Sequence, residues 1–349
     1  MDSKALIAMS GGVDSSVAAY LTGSAGYSCG GAIMQLWLSE GSTAISDAEA
    51  VAQRLGMPFY VLDAETPFRQ LVVDYFVRSY EEGLTPNPCI QCNRHLKFTY
   101  FLDRALELGY DHIVTGHYAR IRQDEKTGRY LLCKAVDEAK DQSYFLSCLT
   151  QHQLKHTLFP LGELSKDQVR QIAQEQGFVN ARKKDSQDIC FVPDGDYVAF
   201  MKRYTGKTYP GGDYLDLSGK VVGKHCGAIS YTLGQRKGLG IALGAPVYVC
   251  SKDMAANTVT VGPESALFAD TLIARDWNWL PFETLTAPMR VMAKARYRHI
   301  PQPATVYPME DGCAKVVFDT PQRAITPGQT VALYDGDMVV GGGTITEVL

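Results

Sequence analysis

No window of this 349-residue chain approaches the ~18 uninterrupted apolar residues that a membrane-spanning helix requires. Its opening, Met1-Asp2-Ser3-Lys4 running into Ala5–Met9, has no basic flank, apolar stretch and small-residue cleavage site of the secretory kind. These two absences predict a cytoplasmic protein with no membrane partner. An excess of positive charge is missing too: the net charge is -4 and the pI is about 6.0, which argues against non-specific coating of nucleic acid but leaves room for a local basic surface. Nine cysteines, an odd number scattered along the chain, do not make a disulfide framework, so any special cysteine is expected to be reactive or metal-bound. Repeats and low-complexity segments are absent.

What is present is the composition of a globular protein, 46% hydrophobic and 21% charged, at a length that suggests two or three domains. The first half alternates short apolar runs with amphipathic stretches, as layered α/β domains do. Strands are expected at Ala5–Met9, Gly31–Leu36, Phe59–Leu62 and His112–Thr115, and helices at Val13–Leu21, Asp47–Leu55 and Pro67–Tyr80. A further helix should start at Ser165, where Gln168 completes a capping box, and end near Gly177. After about Asp194 helical periodicity fades and turn signals such as Pro210-Gly211-Gly212 take over. From about Asp276 short alternating runs predict a small barrel or sandwich.

The strongest local signal is Ser10-Gly11-Gly12-Val13-Asp14-Ser15-Ser16, between the first strand and the first helix. Small residues there let backbone amides wrap an anion, and the helix dipole adds to the attraction. Three hydroxyls supply donors, and Asp14 suits a carboxylate that helps to hold Mg²⁺. The spacing fits neither the Walker A pattern nor G-x-G-x-x-G. Two cysteine segments follow. Thr85-Pro86-Asn87-Pro88-Cys89-Ile90-Gln91-Cys92-Asn93 places a cysteine at the start of an expected helix, Asn93 to Leu108, where the helix N-terminus would lower the thiol pKa. Asp185-Ser186-Gln187-Asp188-Ile189-Cys190-Phe191 presents another cysteine near Arg182, Lys183 and Lys184.

The first motif resembles the SGGxDS PP-loop of ATP pyrophosphatases. The cysteine segments resemble the tRNA-specific 2-thiouridylases within that superfamily. So do Thr115-Gly116-His117-Tyr118-Ala119-Arg120, Lys140-Asp141-Gln142-Ser143-Tyr144-Phe145, the run from Tyr231 to Gly240, Arg296-Tyr297-Arg298 and Thr326-Pro327-Gly328-Gln329. The matches run in the family's order from residue 8 to about 343. The resemblance implies a doubly wound, mostly parallel α/β domain of the adenine nucleotide α hydrolase type over residues 1–200. A small β-rich, tRNA-contacting domain over 201–272 and a tRNA-binding β-barrel over 273–349 would follow.

It also implies roles. Ala8, Met9, Ser10, Gly11, Gly12, Val13, Asp14 and Ser15 would hold ATP together with Met34 and Gly116. Asn87, Pro88 and Cys89 would lie against the target base, and Cys92 and Cys190 would be the catalytic pair. His117, Lys140, Asp141, Gln142, Arg296, Tyr297 and Gln329 would touch tRNA. The implied reaction is ATP- and Mg²⁺-dependent 2-thiolation of the wobble uridine in the anticodon stem-loop. Sulfur would arrive as a persulfide from a donor protein, a cellular thiol reductant would reset a transient disulfide, and no permanently bound metal is expected. Cys89 departs from the pattern, in which many members carry an acidic residue, and the segment between Leu36 and Asp47 is short.

Other readings of the residues stay open. Cys89-x-x-Cys92 with Cys190 could form a three-cysteine cluster, although no second C-x-x-C or close His completes a zinc set. His117, a lone histidine after a strand, fits a structural role as well as a functional one. Cys29, Cys133, Cys148, Cys250 and Cys313 read as small hydrophobes, and Cys226 as an incidental loop residue. An extended segment would put Arg290, Lys294, Arg296 and Arg298 on one strand face, for phosphate or for solvent. A PP-loop synthetase acting on a small molecule and a non-catalytic RNA-binding protein are the rival functions.

Overall fold

The structure, a computed structural model, describes residues 3–37, 43–183 and 189–349. The polar residues Lys184 to Asp188 and part of the short segment after Leu36 lie outside these. The N-terminal half supplies seven strands: β1 (Lys4–Ala8), β2 (Ser28–Gln35), β3 (Phe59–Asp63), β4 (His112–Val114), β5 (Arg120–Gln123), β6 (Tyr130–Cys133) and β7 (Thr157–Leu158). Five of them form a sheet in the order β3-β2-β1-β4-β7, every neighbouring pair parallel. β1 is central, so Ala5, Leu6 and Ile7 are fully buried; that is why the segment reads as a continuous apolar run rather than an alternating one. The chain builds outward from β1 to β2 and β3, then returns to place β4 on the other side of β1. A reversal of this kind opens a crevice at the carboxyl ends of the strands, where α/β sheets bind ligands.

Helix α1 (Val13–Ser24) follows β1 and buries Val13, Val17, Ala18 and Ala19. The capping box at Ser165 forms as expected: Gln168 N donates to Ser165 Oγ at 3.3 Å and Ser165 N to Gln168 Oε1 at 2.8 Å. Two helices differ from the sequence reading. The helix expected from Asn93 begins instead at Pro88, since proline at the first position needs no donor. And helical structure does not fade after Asp194: Tyr197–Thr205 is a helix, capped by Asp196 and ended by Gly206 with φ +69°. Its aromatic residues, which resemble strand formers, pack against Phe191 and the helical run 65–81.

The middle of the chain forms β8 (Gly212–Leu215), β9 (Val221–His225), β10 (Tyr248–Asp253) and β11 (Thr258–Gly262), a sheet in the order β10-β11-β8-β9. The remainder forms β12 (Phe268–Trp279), β13 (Met289–Lys294), β14 (Gln302–Pro308), β15 (Ala314–Arg323), β16 (Thr330–Asp335) and β17 (Met338–Val348). These six close into an antiparallel barrel, because β12 pairs with both β15 and β17. The hairpin β5–β6 leaves the parallel sheet behind and extends the barrel's sheet through the pairing of Cys133 with Met338. The residue pairs 200/201 and 272/273 fall inside the helix Tyr197–Thr205 and inside β12.

Candidate functional site

The loop after β1 is built as an anion cradle. Gly12 caps α1 without any side-chain bond to the first-turn amides, so those donors remain for a ligand. The hydroxyls brace the loop instead. Ser15 Oγ accepts from Ser10 N at 3.2 Å and donates to Gly12 O at 3.1 Å. Ser16 Oγ donates to the same carbonyl at 3.0 Å. Met34 stands near the carboxyl end of β2, the neighbour of β1, and Gly116 follows β4 on the other side. A Cβ on Gly116 would lie 2.8 Å from the backbone of Asp14 and Ser15, so only glycine permits this approach. Ala8 to Ser15, Met34 and Gly116 are thus brought together.

Four residues that sequence reasoning did not assign to this loop converge on it. Lys166 Nζ binds both oxygens of Asp14, at 2.7 and 2.9 Å, and the Tyr118 hydroxyl donates to Asp14 at 3.0 Å. Asn180 Nδ2 donates to Gly11 O, Gly12 O and Ser16 Oγ at 3.2, 3.2 and 2.9 Å. Lys183 Nζ reaches Gly11 O at 3.2 Å and Asp47 at 2.9 Å; its cation holds the Asp47 carboxyl below the ordinary carboxylate range. Lys166 and Asn180 stand 152 and 168 residues from their partners, so no local motif reveals them. Asp14, expected as a possible Mg²⁺ ligand, is already occupied by an ammonium and a phenol. The loop therefore offers amides and hydroxyls that suit phosphate, and Asp14 would have to exchange Lys166 for a metal ion.

The cysteines gather on the other side of Met34. Cys92 is buried in an apolar cluster with Phe68, Phe76, Leu96, Phe191, Val192 and Phe200, against which Met34 packs. Phe191 lies 5.2 Å from both Phe76 and Phe200, ring centre to ring centre. Phe191, the residue after Cys190, and Cys92 therefore share one core. The thiols of Cys89 and Cys190 both act electrostatically on Cys92. Cys92 is buried, whereas Cys89 and Cys190 are exposed, and all nine cysteines are free. No group of three or more His, Cys, Asp or Glu is placed to hold a metal among the described residues.

The expected thiolate at Cys92 needs correction. Because the helix starts at Pro88, Cys92 lies in its second turn, away from the dipole's positive end, and burial pushes its thiol up to about 12. The thiols of Cys89 and Cys190 are also raised, chiefly by the protein packed around the sulfurs. One cation, Lys97, opposes this at all three. Residues Cys92–Tyr100 wind as a π-helix, so Lys97, five residues on, stands one wide turn beyond Cys92. Sequence reasoning missed Lys97; a basic residue at that spacing is the signal that was there. Among the other cysteines, Cys133 and Cys148 are buried and Cys29, Cys250 and Cys313 partly so. Exposed Cys226 hydrogen-bonds to Tyr231, which lowers its pKa.

The residues expected at tRNA divide into two groups. Lys140, Asp141, Gln142 and Tyr297 lie together. Asp141 accepts from Ala135 N and Ser143 N at 3.0 and 3.2 Å, and Gln142 accepts from Tyr118 N at 3.0 Å. Tyr297 packs on Phe145 with ring centres 4.3 Å apart, with Lys294 over its ring. His117, whose Nδ1 lies 2.8 Å from Thr115 Oγ1, is driven well below its ordinary pKa by burial and is neutral. Arg296 and Gln329 are engaged inside the protein. Arg296 donates to Leu233 O at 3.2 Å and to the Thr326 hydroxyl, and Gln329 donates to Thr85 O at 2.8 Å. The single basic strand face does not form: β13 ends at Lys294, and Arg290 forms an ion pair with Asp319 at 2.7 Å.

Comparison with known proteins agrees with this arrangement. Residues 3–194 match the tRNA methyl transferase HUP domain, 198–263 its PRC-barrel domain and 269–345 the aminomethyltransferase β-barrel domain. The tRNA-specific 2-thiouridylase MnmA of Clostridioides difficile (strain 630) is 49% identical over 359 residues, covering 100% of this chain and 99% of that protein. The tRNA-specific 2-thiouridylase MnmA of Acetivibrio thermocellus is 50% identical over 354 residues, with 98% and 99% covered. With likeness of this extent along the whole chain, an anion cradle after β1 and the segments of Cys92 and Cys190 meeting in one core beyond it, this chain belongs to the tRNA-specific 2-thiouridylases.

Proposed function

We propose that this enzyme replaces the C2 oxygen of the wobble uridine of tRNA with sulfur, using ATP. Oxide is a very poor leaving group, so the oxygen must first be converted into a better one. The uridine O2 attacks the α-phosphate of ATP held at the β1–α1 loop, and pyrophosphate departs toward the first-turn amides of α1. Mg²⁺ carried on the phosphates neutralises their charge when bound. Asn180 and Lys183 keep the loop's carbonyls turned away from the anion, and Lys166 compensates Asp14, which would otherwise repel it.

Sulfur transfer falls to the two cysteines. The observation that carries their assignment is a difference in exposure: Cys92 is buried in the cluster that also holds Phe191, whereas Cys190, next to Phe191, is exposed. An exposed thiol is the one a sulfur donor protein can reach, which suits Cys190 as the persulfide carrier. The buried Cys92 suits the resolving step. The terminal persulfide sulfur attacks C2 and AMP leaves; Cys92 then attacks Cys190 Sγ, which releases the 2-thiouridine and leaves a Cys92–Cys190 disulfide for a thiol reductant to open. Asn87, Pro88 and Cys89, at the start of the helix that carries Cys92, suit contact with the base. Lys140, Asp141, Gln142 and Tyr297 suit contact with the anticodon stem-loop, with His117 behind them and Arg296 and Gln329 at the barrel's edge.

Replacement of either Cys92 or Cys190 with Ser is expected to abolish 2-thiouridine, read by nucleoside mass spectrometry, while tRNA-dependent pyrophosphate release persists. Full thiolation by Cys92→Ser would refute the assignment. AMP release driven by ammonia or an amino acid without tRNA would favour a small-molecule synthetase.

A further inference from the structure

Charge is spread unevenly over the middle module. From Leu217 to Lys252 the sequence carries Lys220, Lys224, Arg236, Lys237 and Lys252 and no Asp or Glu, in a chain whose net charge is -4. Lys224 is paired with Asp213, and the Lys252 ammonium is buried. Arg236 and Lys237 differ from both. They are adjacent and exposed, and among the described residues neither side chain has an ion-pair or hydrogen-bond partner.

Arg236 lines a cavity of about 440 Å³ whose remaining wall is the segment Gly238–Val247. That segment has no helix or strand. Among the described residues no amide from Arg236 to Val247 donates to a protein acceptor. Gly238 and Gly240 adopt φ of +77° and +69°. A left-handed residue beside a right-handed one turns successive amides to the same side, and the concavity so formed receives an anion. Leu239, between the two glycines, is buried in the module's core, and its carbonyl accepts from the Tyr214 hydroxyl at 2.9 Å. The wall is therefore anchored.

The cavity also adjoins residues expected at tRNA. Arg296 donates to Leu233 O, three residues before Arg236, and Arg323 donates to Gly234 O at 3.3 Å. Gly234 N donates to Val249 O at 2.8 Å and Val249 N to Gln235 O at 3.0 Å, so both ends of the cavity's wall are clamped together beside the barrel.

We propose, on the reading that the substrate is tRNA, that this cavity binds one phosphate of the tRNA backbone. Arg236 makes the charged contact, Lys237 adds to the local field, and the amides of Gly238 to Gly240 donate to the phosphate oxygens. Such a contact positions the RNA and reads no base.

Equilibrium binding of a tRNA transcript to the full-length enzyme, measured as KCl is varied, tests this. Arg236→Gln should weaken binding about tenfold. It should also flatten the dependence of log Kd on log salt by about 0.7–0.9, the contribution of one phosphate. Arg236→Lys should keep the salt dependence. Gly240→Ala, which leaves the charge intact but strains a left-handed residue, should weaken binding as well, with circular dichroism confirming the fold. Wild-type affinity and salt dependence in Arg236→Gln overturn the proposal. Wild-type affinity in Gly240→Ala does so too, since surface charge alone would then account for Arg236. If Arg236→Gln loses affinity for inorganic pyrophosphate in dialysis while tRNA binding is unchanged, the cavity takes a free anion and the RNA contact is refuted. Failure of the wild-type enzyme to bind tRNA would instead sink the reading on which the site rests.

Discussion

At the scale of single residues, the site sets burial against charge. A thiol within an apolar cluster resists ionisation because the thiolate loses its hydration. Lys97 is the group that opposes this at Cys89, Cys92 and Cys190 together. Removing a cation leaves the thiolate less stabilised, so the thiol pKa must rise and the nucleophile must weaken at a fixed pH. Lys97→Gln should shift the pH–rate profile for alkylation of exposed Cys190 to higher pH, and Lys97→Arg should restore it. An identical profile in Lys97→Gln would show that the charge acts elsewhere. The neutral state of His117 follows from the same physics, since the desolvation that raises a thiol depresses an imidazole.

At the scale of elements, the decisive contact is the one between the β1–α1 loop and the turn after β4. Gly116→Ala inserts a methyl group 2.8 Å from the backbone of Asp14 and Ser15, and backbone cannot rotate out of the way. It should weaken ATP binding at least about tenfold by equilibrium dialysis and lower stability by about 1–3 kcal/mol. Wild-type affinity in that variant would mean that the loop is free to shift. The parallel strands, α1 and the capping box at Ser165 were legible because their causes are local: an apolar run, a glycine-rich turn, a Ser with Gln three places on. The start of helix 88–107 was not, because Pro88 reads as a breaker until it is recognised as a first-turn residue. The helix Tyr197–Thr205 was hidden by aromatic residues whose partners, Phe191 and helix 65–81, lie far away in sequence. Lys166 and Asn180 were illegible for the same reason: the loop they brace is fixed by tertiary contacts. The bonds of Arg296 to Leu233 O and to the Thr326 hydroxyl, which join two modules, were illegible on the same ground.

At the scale of the molecule, the catalytic half and the barrel are bound by more than the turn at Gln329. Arg120, on β5, donates to Asp337 at 2.7 Å and to Lys134 O at 2.7 Å, with its side chain only 15% exposed. Asp337→Asn keeps the shape but removes the charge, leaving a nearly buried guanidinium with only the more distant Glu163, at 3.7 Å, as counter-ion. Stability should fall by about 1–2 kcal/mol, and in calorimetry the barrel and the catalytic domain should lose it together. A downward shift confined to a separate barrel transition would mean that the two fold independently.

The hairpin β5–β6 gives this coupling a direction in time. During synthesis, residues 120–133 emerge about two hundred residues before Met338, the partner of Cys133. Until then Cys133 lacks its strand partner, whereas Tyr130 N and O, at the start of β6, find Gln151 only 21 residues on. The enzyme that rewrites one letter of the decoding machinery thus writes the hairpin of its own final seam long before the strand that closes it.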